Sequence, residues 1–346
     1  MSRSLARHAR TCDPRPLLRY LAVGLAATLG TVACGLAVLP DTADDRLVRT
    51  VRAADAAPEF APYVDSSLHP PFNLVDAAKK TGVKSYTLAF ITSGGGCVPK
   101  WGGVTDIGAN PVANQAGDLR ALGGDIRISF GGASGIELAA ACPTVTGLTA
   151  AYEQVVLAFK LTSADFDIEG AALSDTASNT RRAQAISALQ EKHPDLEVSL
   201  TLPVLPEGLT RDGVNLVENA RANGVSIDAV NIMAMDYGPP STQMGDLAIQ
   251  AATSTETQLR SAFGVPSAWD RLALTPMIGV NDVAGETFTL ADAPQVAAFA
   301  RTRGLAWVAM WSANRDRPCP GGVKSQADPT CSSVDQEPLA FIRALG

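Results

Sequence analysis

From residue 59 to the end of a 346-residue chain, eight short apolar segments alternate with amphipathic ones. That alternation predicts an α/β fold, and eight strand–helix units predict closure into a single (β/α)8 barrel of the TIM type. A hydrophobic content of 46% against 18% charged residues gives such a barrel a core to bury and excludes wholesale disorder. An open doubly wound sheet is the structural alternative. No glycine-rich fingerprint follows the first strand, where FAPYVDSSLHPP stands, so dinucleotide binding has no support.

The candidate strands are 59–65 (EFAPYVD), 85–92 (SYTLAFIT), 124–131 (GDIRISFG) and 163–169 (SADFDIE). They continue with 197–204 (EVSLTLPV), 229–237 (AVNIMAMDY), 271–279 (RLALTPMIG) and 305–312 (LAWVAMWS). Helical patterns fill the gaps, most clearly at 149–160, 177–191, 243–263 and 292–303, with 335–345 closing the chain. The span 280–304 leaves no room for an α+β insertion between the last two strands.

Residues 1–20 carry five arginines against Asp13 alone and precede an uncharged run over 21–39, LAVGLAATLGTVACGLAVL. A basic leader before an apolar core is an export signal, and a run of this length also approaches that of an uncleaved membrane anchor. The expected organisation is therefore a signal or anchor segment at 1–40, a linker at 41–58 and one barrel at 59–346. The protein is expected outside the cell, free or tethered through 21–39. Thr31 stands three residues before Cys34, where a lipoprotein signal usually has an aliphatic residue, which disfavours lipidation. The formal charge of −7 is the balance of a local +4 in the leader and −11 elsewhere, and so acidic a domain is not a general nucleic-acid binder.

Export sets the reading of the cysteines. Cys97, Cys142, Cys319 and Cys331 remain after the leader, and four thiols in an oxidising compartment suggest two disulfides with three possible connectivities. No Cys-x-x-Cys pair occurs and the chain has three histidines, so neither a metal nor a cofactor is expected.

On a barrel, chemistry belongs at the carboxyl ends of the strands. Asp65, Ser129, Glu169, Asp236, Asn281, Trp311 and Asn314 all fall there. Most informative is Asp165-Phe166-Asp167-Ile168-Glu169. Alternation along a strand puts the three carboxyls on the lumen face and Phe166 and Ile168 toward the helices. Three like charges in line are costly inside a protein, so at least one carboxyl should hold a proton and their titrations should be coupled. Glu169, furthest toward the rim, is the natural general acid. The alternatives are an acidic face on a solvated edge strand, or a calcium site.

These residues resemble the glycoside hydrolase family 18 chitinases, in the bacterial and archaeal branch with a DFDIEG fourth strand. Asp165, Asp167 and Glu169 match most of the DxxDxDxE signature, and 129–132 (SFGG) matches the third-strand SxGG motif. The run 233–238 (MAMDYG) resembles the sixth-strand MxYD motif, and 310–312 (MWS) the eighth-strand end with its tryptophan. Two positions depart. Thr162 takes the place of the first signature aspartate, and Met235 that of the tyrosine whose hydroxyl holds the substrate's acetamido carbonyl. Strand alternation would point the neighbouring Tyr237 the same way as Met235 and let it supply that hydroxyl.

The resemblance implies substrate-assisted retaining hydrolysis of β-1,4-linked N-acetylglucosamine, in which the substrate's own N-acetyl group is the nucleophile. Glu169 would protonate the glycosidic oxygen, Asp167 would orient the acetamido group, and Asp165 would shape proton sharing between them. Asp236, with Tyr237, would bind the acetamido group. Trp311 would stack beneath the sugar, and Trp101 in the second loop would be a further platform. Asn281 and Asp282 would meet sugar hydroxyls, or serve only a turn. Trp307 reads as core, and Trp269 has no functional argument.

Placed on this barrel, Cys97 and Cys142 fall in adjacent loops, and Cys319 and Cys331 both follow the last strand. Pairing Cys97 with Cys142 and Cys319 with Cys331 would brace the cleft, each bridge contributing about 2–4 kcal/mol. The implied protein is an endo-acting chitinase, monomeric, with chitin or N-acetylglucosamine oligosaccharides as its partners. The alternatives are an endo-β-N-acetylglucosaminidase acting on glycoprotein or cell-wall glycans, and an inactive lectin-like chitin binder.

Overall fold

The computed structural model describes residues 58–346. The export segment expected at 1–40, with its candidate anchor at 21–39, and all but the last residue of the linker at 41–58 lie outside the described residues. Among the described residues no helix is long and apolar enough to cross a membrane.

Eight parallel strands form a closed ring. Strand β1 is split into Glu59–Phe60 and Tyr63–Asp65. It is followed by β2 (Ser85–Ser93), β3 (Asp125–Gly131), β4 (Ser163–Asp167) and β5 (Glu197–Leu205). Strands β6 (Ala229–Ala234), β7 (Leu272–Pro276) and β8 (Trp307–Val308) complete the set. Neighbours in sequence pair in parallel from β2 to β8. The first part of β1 pairs with β8 and its second part with β2, which closes the barrel.

A helix follows each strand: α1 (Leu74–Thr81), α2 (Ala116–Ala121), α3 (Val145–Phe159) and α4 (Thr176–Lys192). The others are α5 (Arg211–Ala222), α6 (Met244–Phe263), α7 (Asp292–Arg303) and α8 (Ala340–Leu345). Asn73, Thr144, Asp175 and Thr210 cap α1, α3, α4 and α5 by accepting first-turn amides, while Gly264 and Gly304 end α6 and α7 in the left-handed region. Helix α8 begins at Ala340 rather than near 335. Pro338 disfavours helical geometry in the residue before it, and Asp316 instead receives the amides of Phe341 and Ile342 at 3.0 and 2.8 Å.

Alternation sorts the side chains as expected. Phe166 stacks on Phe130 at 5.2 Å and meets Tyr152 of α3 edge-on at 5.0 Å, so the outward face of β4 is locked against a helix. The opposite faces of the strands contribute a separate apolar cluster of Tyr63, Ala89, Ala229, Ala273, Ala306, Trp307 and Ala309. Trp307 is core, with the Arg127 guanidinium 4.5 Å above its ring. Strands β6 and β7 end three residues earlier than the sequence pattern suggests, and β8 pairs continuously over two residues only. There the chain leaves the ladder for the loops, keeping single contacts such as Ala309 N–H to Leu274 and Trp311 N–H to Pro276. Between β7 and α7 lies a small antiparallel hairpin, Gly279–Val280 with Thr287–Phe288.

Both disulfides join the local partners, Cys97 to Cys142 and Cys319 to Cys331. Near the first, Glu137 accepts the amides of Ala139 and Ala140 and pairs with Arg182 of α4 at 2.8 Å, both side chains being buried. Burial alone would raise the Glu137 carboxyl, but the charge and hydrogen bonds of Arg182, with the two amides, outweigh it and leave it below the ordinary range. Glu137→Ala strands a buried guanidinium and is expected to destabilise the fold by about 3–5 kcal/mol in denaturant unfolding at neutral pH. Unchanged stability would show that the pair does not anchor this loop.

Candidate active site

The floor of the site is a buried carboxylate. Asp165 of β4 is fully buried, and its oxygens accept hydroxyls from Tyr63 (2.9 Å), Ser129 (2.6 Å), Ser199 (2.5 Å) and Thr201 (2.7 Å). Those donors come from β1, β3 and β5, each on the lumen face. Asn231 of β6 donates to Tyr63 and Thr201 at 3.1 and 3.0 Å, and itself accepts the Thr275 hydroxyl of β7 at 2.8 Å. Six strands are thereby tied into one polar layer. Burial and two nearby carboxylates raise the Tyr63 phenol, so it stays a donor.

One step up the strand, Asp167 is 4% exposed, and one of its oxygens, Oδ1, is buried without a partner. Burial raises its proton affinity, and the charges of Glu169 and Asp165 raise it further. Asp167 and Glu169 share a hydrogen bond that favours the proton on Asp167. Glu169 is also raised, first by burial, then by the Asp236 charge and to a lesser degree by Asp282, with the bond from Asp167 opposing. The two carboxyls therefore compete for a proton at the mouth of the barrel, above a carboxylate fixed by four hydroxyls.

Around them opens a cleft of about 390 Å³. Asp167, Glu169, Asp236 and Asp282 supply its polar edge. Phe90 and Trp311, stacked at 5.6 Å, form an aromatic wall, and Met233, Met235, Met277, Val204 and Leu205 give it an apolar lining. Asp236 has a left-handed backbone (φ 56°), and its Oδ1 accepts the Val283 amide of the β7–α7 hairpin at 2.9 Å. Burial raises its carboxyl and Asp282 adds to the rise, while the Val283 amide and Arg315 oppose. Arg315 is buried, donates to the Val280 carbonyl, and is lowered to about 10 by burial.

Glu169, Asp167, Asp236, Met235 and Trp311 are thus brought to one cleft, with Asp165 beneath. Three candidates are placed elsewhere. Tyr237 is buried in the core, does not line the cleft, and its hydroxyl has no partner. Its expected position assumed strand alternation up to residue 237, whereas β6 ends at Ala234 and the left-handed turn at Asp236 reverses the direction of the next side chain. Trp101 is 2% exposed; a hairpin on β2 folds it back so that its Nε1 donates to the Ile107 carbonyl and its ring meets Phe159 at 6.0 Å. It anchors a loop and forms no platform. Asn281 turns inward and donates to the carbonyls of Met277 and Gly279, leaving Asp282 at the cleft.

Thr162 lies at the exposed start of β4, where its hydroxyl donates to Asp125 at 3.2 Å. The network around Asp165 is completed by hydroxyls instead. Sequence reasoning missed Phe90, Tyr63, Ser199, Thr201 and Asn231. Tyr63, Ser199, Thr201 and Asn231 stand on the inward alternation of their strands, which was the available signal. Phe90 instead follows the inward Ala89 and reaches the cleft through a register shift between Leu88 and Ile91 that alternation does not show.

A barrel whose fourth strand carries a proton-sharing carboxyl pair into an open cleft has the arrangement that glycoside hydrolases use. The catalytic domain of a hyperthermophilic chitinase from Pyrococcus furiosus has the same fold, with a TM-score of 0.75 and 34% identity over 84% of this chain and 95% of that one. The chain is 38% identical over 284 residues to a probable bifunctional chitinase/lysozyme of Escherichia coli (strain K12), covering 76% of this chain and 31% of that protein. It is 37% identical over 282 residues to Endochitinase 11 of Metarhizium anisopliae, covering 75% of this chain and 52% of that protein. The chain thus spans about half or less of the length of these two curated relatives. No family model matches. The chain belongs to the glycoside hydrolase family 18 chitinases.

Tyr63→Phe removes one of the four donors to Asp165 and an acceptor for Asn231. It is expected to destabilise the protein by about 1.5–3 kcal/mol in denaturant unfolding. An equally stable variant would show that three hydroxyls suffice.

Proposed function

We propose that this protein hydrolyses β-1,4-N-acetylglucosamine linkages in chitin by substrate-assisted, retaining catalysis. The observation that carries the reading is the unpartnered, buried Oδ1 of Asp167 at the cleft, beside the raised carboxyl of Glu169. An acceptor left empty in a buried site is costly unless a ligand fills it, and the N–H of an N-acetyl group is a fitting donor.

Glu169 in its acid form protonates the glycosidic oxygen. The acetamido oxygen attacks C1 as that bond breaks, giving an oxazolinium ion, and Asp167 holds the amide N–H and balances the positive charge. Glu169, now a carboxylate, takes a proton from the water that opens the ring with retention. Asp236 faces the acetamido group, and the Phe90–Trp311 pair supports the sugar face. Met235 meets the ligand with a thioether, so the acetamido carbonyl receives no hydroxyl from Tyr237. No step calls for a cofactor.

Two further points belong to this reading. The β7–α7 connection contributes only a hairpin, with no added domain to deepen the cleft, which suits internal cleavage. Two disulfides and the basic, apolar leader suit an exported enzyme, free or tethered through 21–39, acting as a monomer.

Purified protein and Glu169→Gln are to be incubated with N-acetylglucosamine oligomers and with an N-glycopeptide. Expected is cleavage of the oligomers with β-anomeric first products, and a loss of about 10²–10⁴-fold in kcat for Glu169→Gln. Inverted product would overturn acetamido participation. Cleavage of the glycopeptide alone would make the protein an endo-β-N-acetylglucosaminidase, and binding without turnover by both proteins would make it a lectin.

The pH profile follows from the same charges. Activity needs the proton on Glu169, and its raised pKa keeps that proton further toward neutral pH, so kcat/KM falls as pH rises through that value. Asp282→Asn removes a like charge and is expected to move this alkaline limb to lower pH. A limb unmoved, or moved to higher pH, would show that Glu169 does not set it.

A further inference from the structure

The β7–α7 hairpin carries a carboxyl that the reaction does not use. Glu286 is fully buried, and among the described residues it forms no ion pair. Its Oε1 accepts the Gly238 amide at 2.7 Å, and the neighbouring amides of Tyr237 and Asp236 face the carboxyl and favour its charged form. Its Oε2 is buried with no partner. A group so desolvated and half-satisfied costs stability, and an apolar residue of similar size would pack there more favourably.

What the carboxyl does is hold a turn. With Asp236 and Gly238 at φ 56° and 109°, successive amides of 236–238 converge into a concave nest of the kind that receives an anionic or acceptor group. The contact is reciprocal, because Asp236 accepts the Val283 amide of the same hairpin. Ser241 N–H to Gly285 and Thr287 N–H to Ser241 continue the seam. Fixing the backbone at 236–238 fixes where the Asp236 carboxyl points.

We propose that Glu286 is a positioning residue for Asp236: by filling the amide nest at 236–238 it aims the Asp236 carboxyl into the cleft. This rests on the reading that Asp236 contacts substrate. Burial raises the Glu286 carboxyl, and a glutamine amide at this position keeps the carbonyl acceptor for Gly238.

The test uses the full-length protein and an N-acetylglucosamine tetramer, with kcat, KM and Tm measured for Glu286→Ala, Glu286→Gln, Asp236→Ala and the double variant Glu286→Ala/Asp236→Ala. Glu286→Ala is expected to lower kcat about 10–100-fold with KM changed less than about three-fold, since a carboxyl displaced by an ångström is enough. Glu286→Gln should restore kcat to within about three-fold of wild type, and the double variant should be no slower than Asp236→Ala. A fall in Tm with kcat kept, or a loss that multiplies in the Asp236→Ala background, overturns the proposal while leaving the role of Asp236 intact. An Asp236→Ala enzyme with wild-type kcat overturns the underlying reading instead. Should Glu286→Ala not fold, Glu286→Asp takes its place: slow Asp with fast Gln supports the proposal, and equal rates overturn it. If the wild type binds the tetramer without cleaving it, the same comparisons are made on the dissociation constant.

Discussion

One carboxylate wrapped in four hydroxyls organises this protein. Asp165 is fully buried, and it is tolerated because Tyr63, Ser129, Ser199 and Thr201 each turn a donor toward it. Those donors stand on three strands, β1, β3 and β5, so the charge is satisfied only when the barrel has closed in register. Asn231 and Thr275 extend the same layer across the lumen. The apolar cluster around Trp307 fills the interior with small side chains. Chemistry and closure therefore share one set of bonds.

The functional carboxyls draw their properties from that base. Burial, then the charges of Glu169 and Asp165, raises the proton affinity of Asp167, and burial, Asp236 and Asp282 raise that of Glu169 at the rim. The outer face of the same strand is held by Phe166 against Phe130 and Tyr152. Rigid packing on one side and a hydrogen-bonded layer on the other leave β4 little freedom, as suits a site in which sub-ångström placement matters. The rim is assembled differently, from loops that stitch to one another. The Cys97–Cys142 bridge ties the second and third loops, and the β7–α7 hairpin is sewn to the loop after β6.

Much of this architecture was legible in the residues. Eight strands were recognisable because hydrophobic alternation is a local property, and the inward set Asp165, Asp167 and Glu169 followed from a period of two. The resemblance then placed Asp236 and Trp311 correctly at the cleft. Prediction failed where the chain leaves the regular ladder. Tyr237 was aimed by extending alternation past Ala234, beyond the point where a left-handed residue breaks it. Trp101 looked exposed because its neighbours are glycines and a lysine, yet a hairpin returns its ring to the core.

By itself the sequence determined the strand and helix periodicity and the carboxylate column, because each depends on residues close in the chain or on a fixed alternation, while it left three ways to pair the four late cysteines. Only the tertiary structure decided which hydroxyls would surround Asp165, that Phe90 would stack on Trp311, and that Glu286 would sit beneath the Asp236 turn. Those partners are separated by between 34 and 221 positions in the sequence, reading Asp165 to Ser199 and Phe90 to Trp311. Nothing local marks them. They meet because a closed ring of tilted strands brings the first strand beside the last and aims every second side chain at one axis.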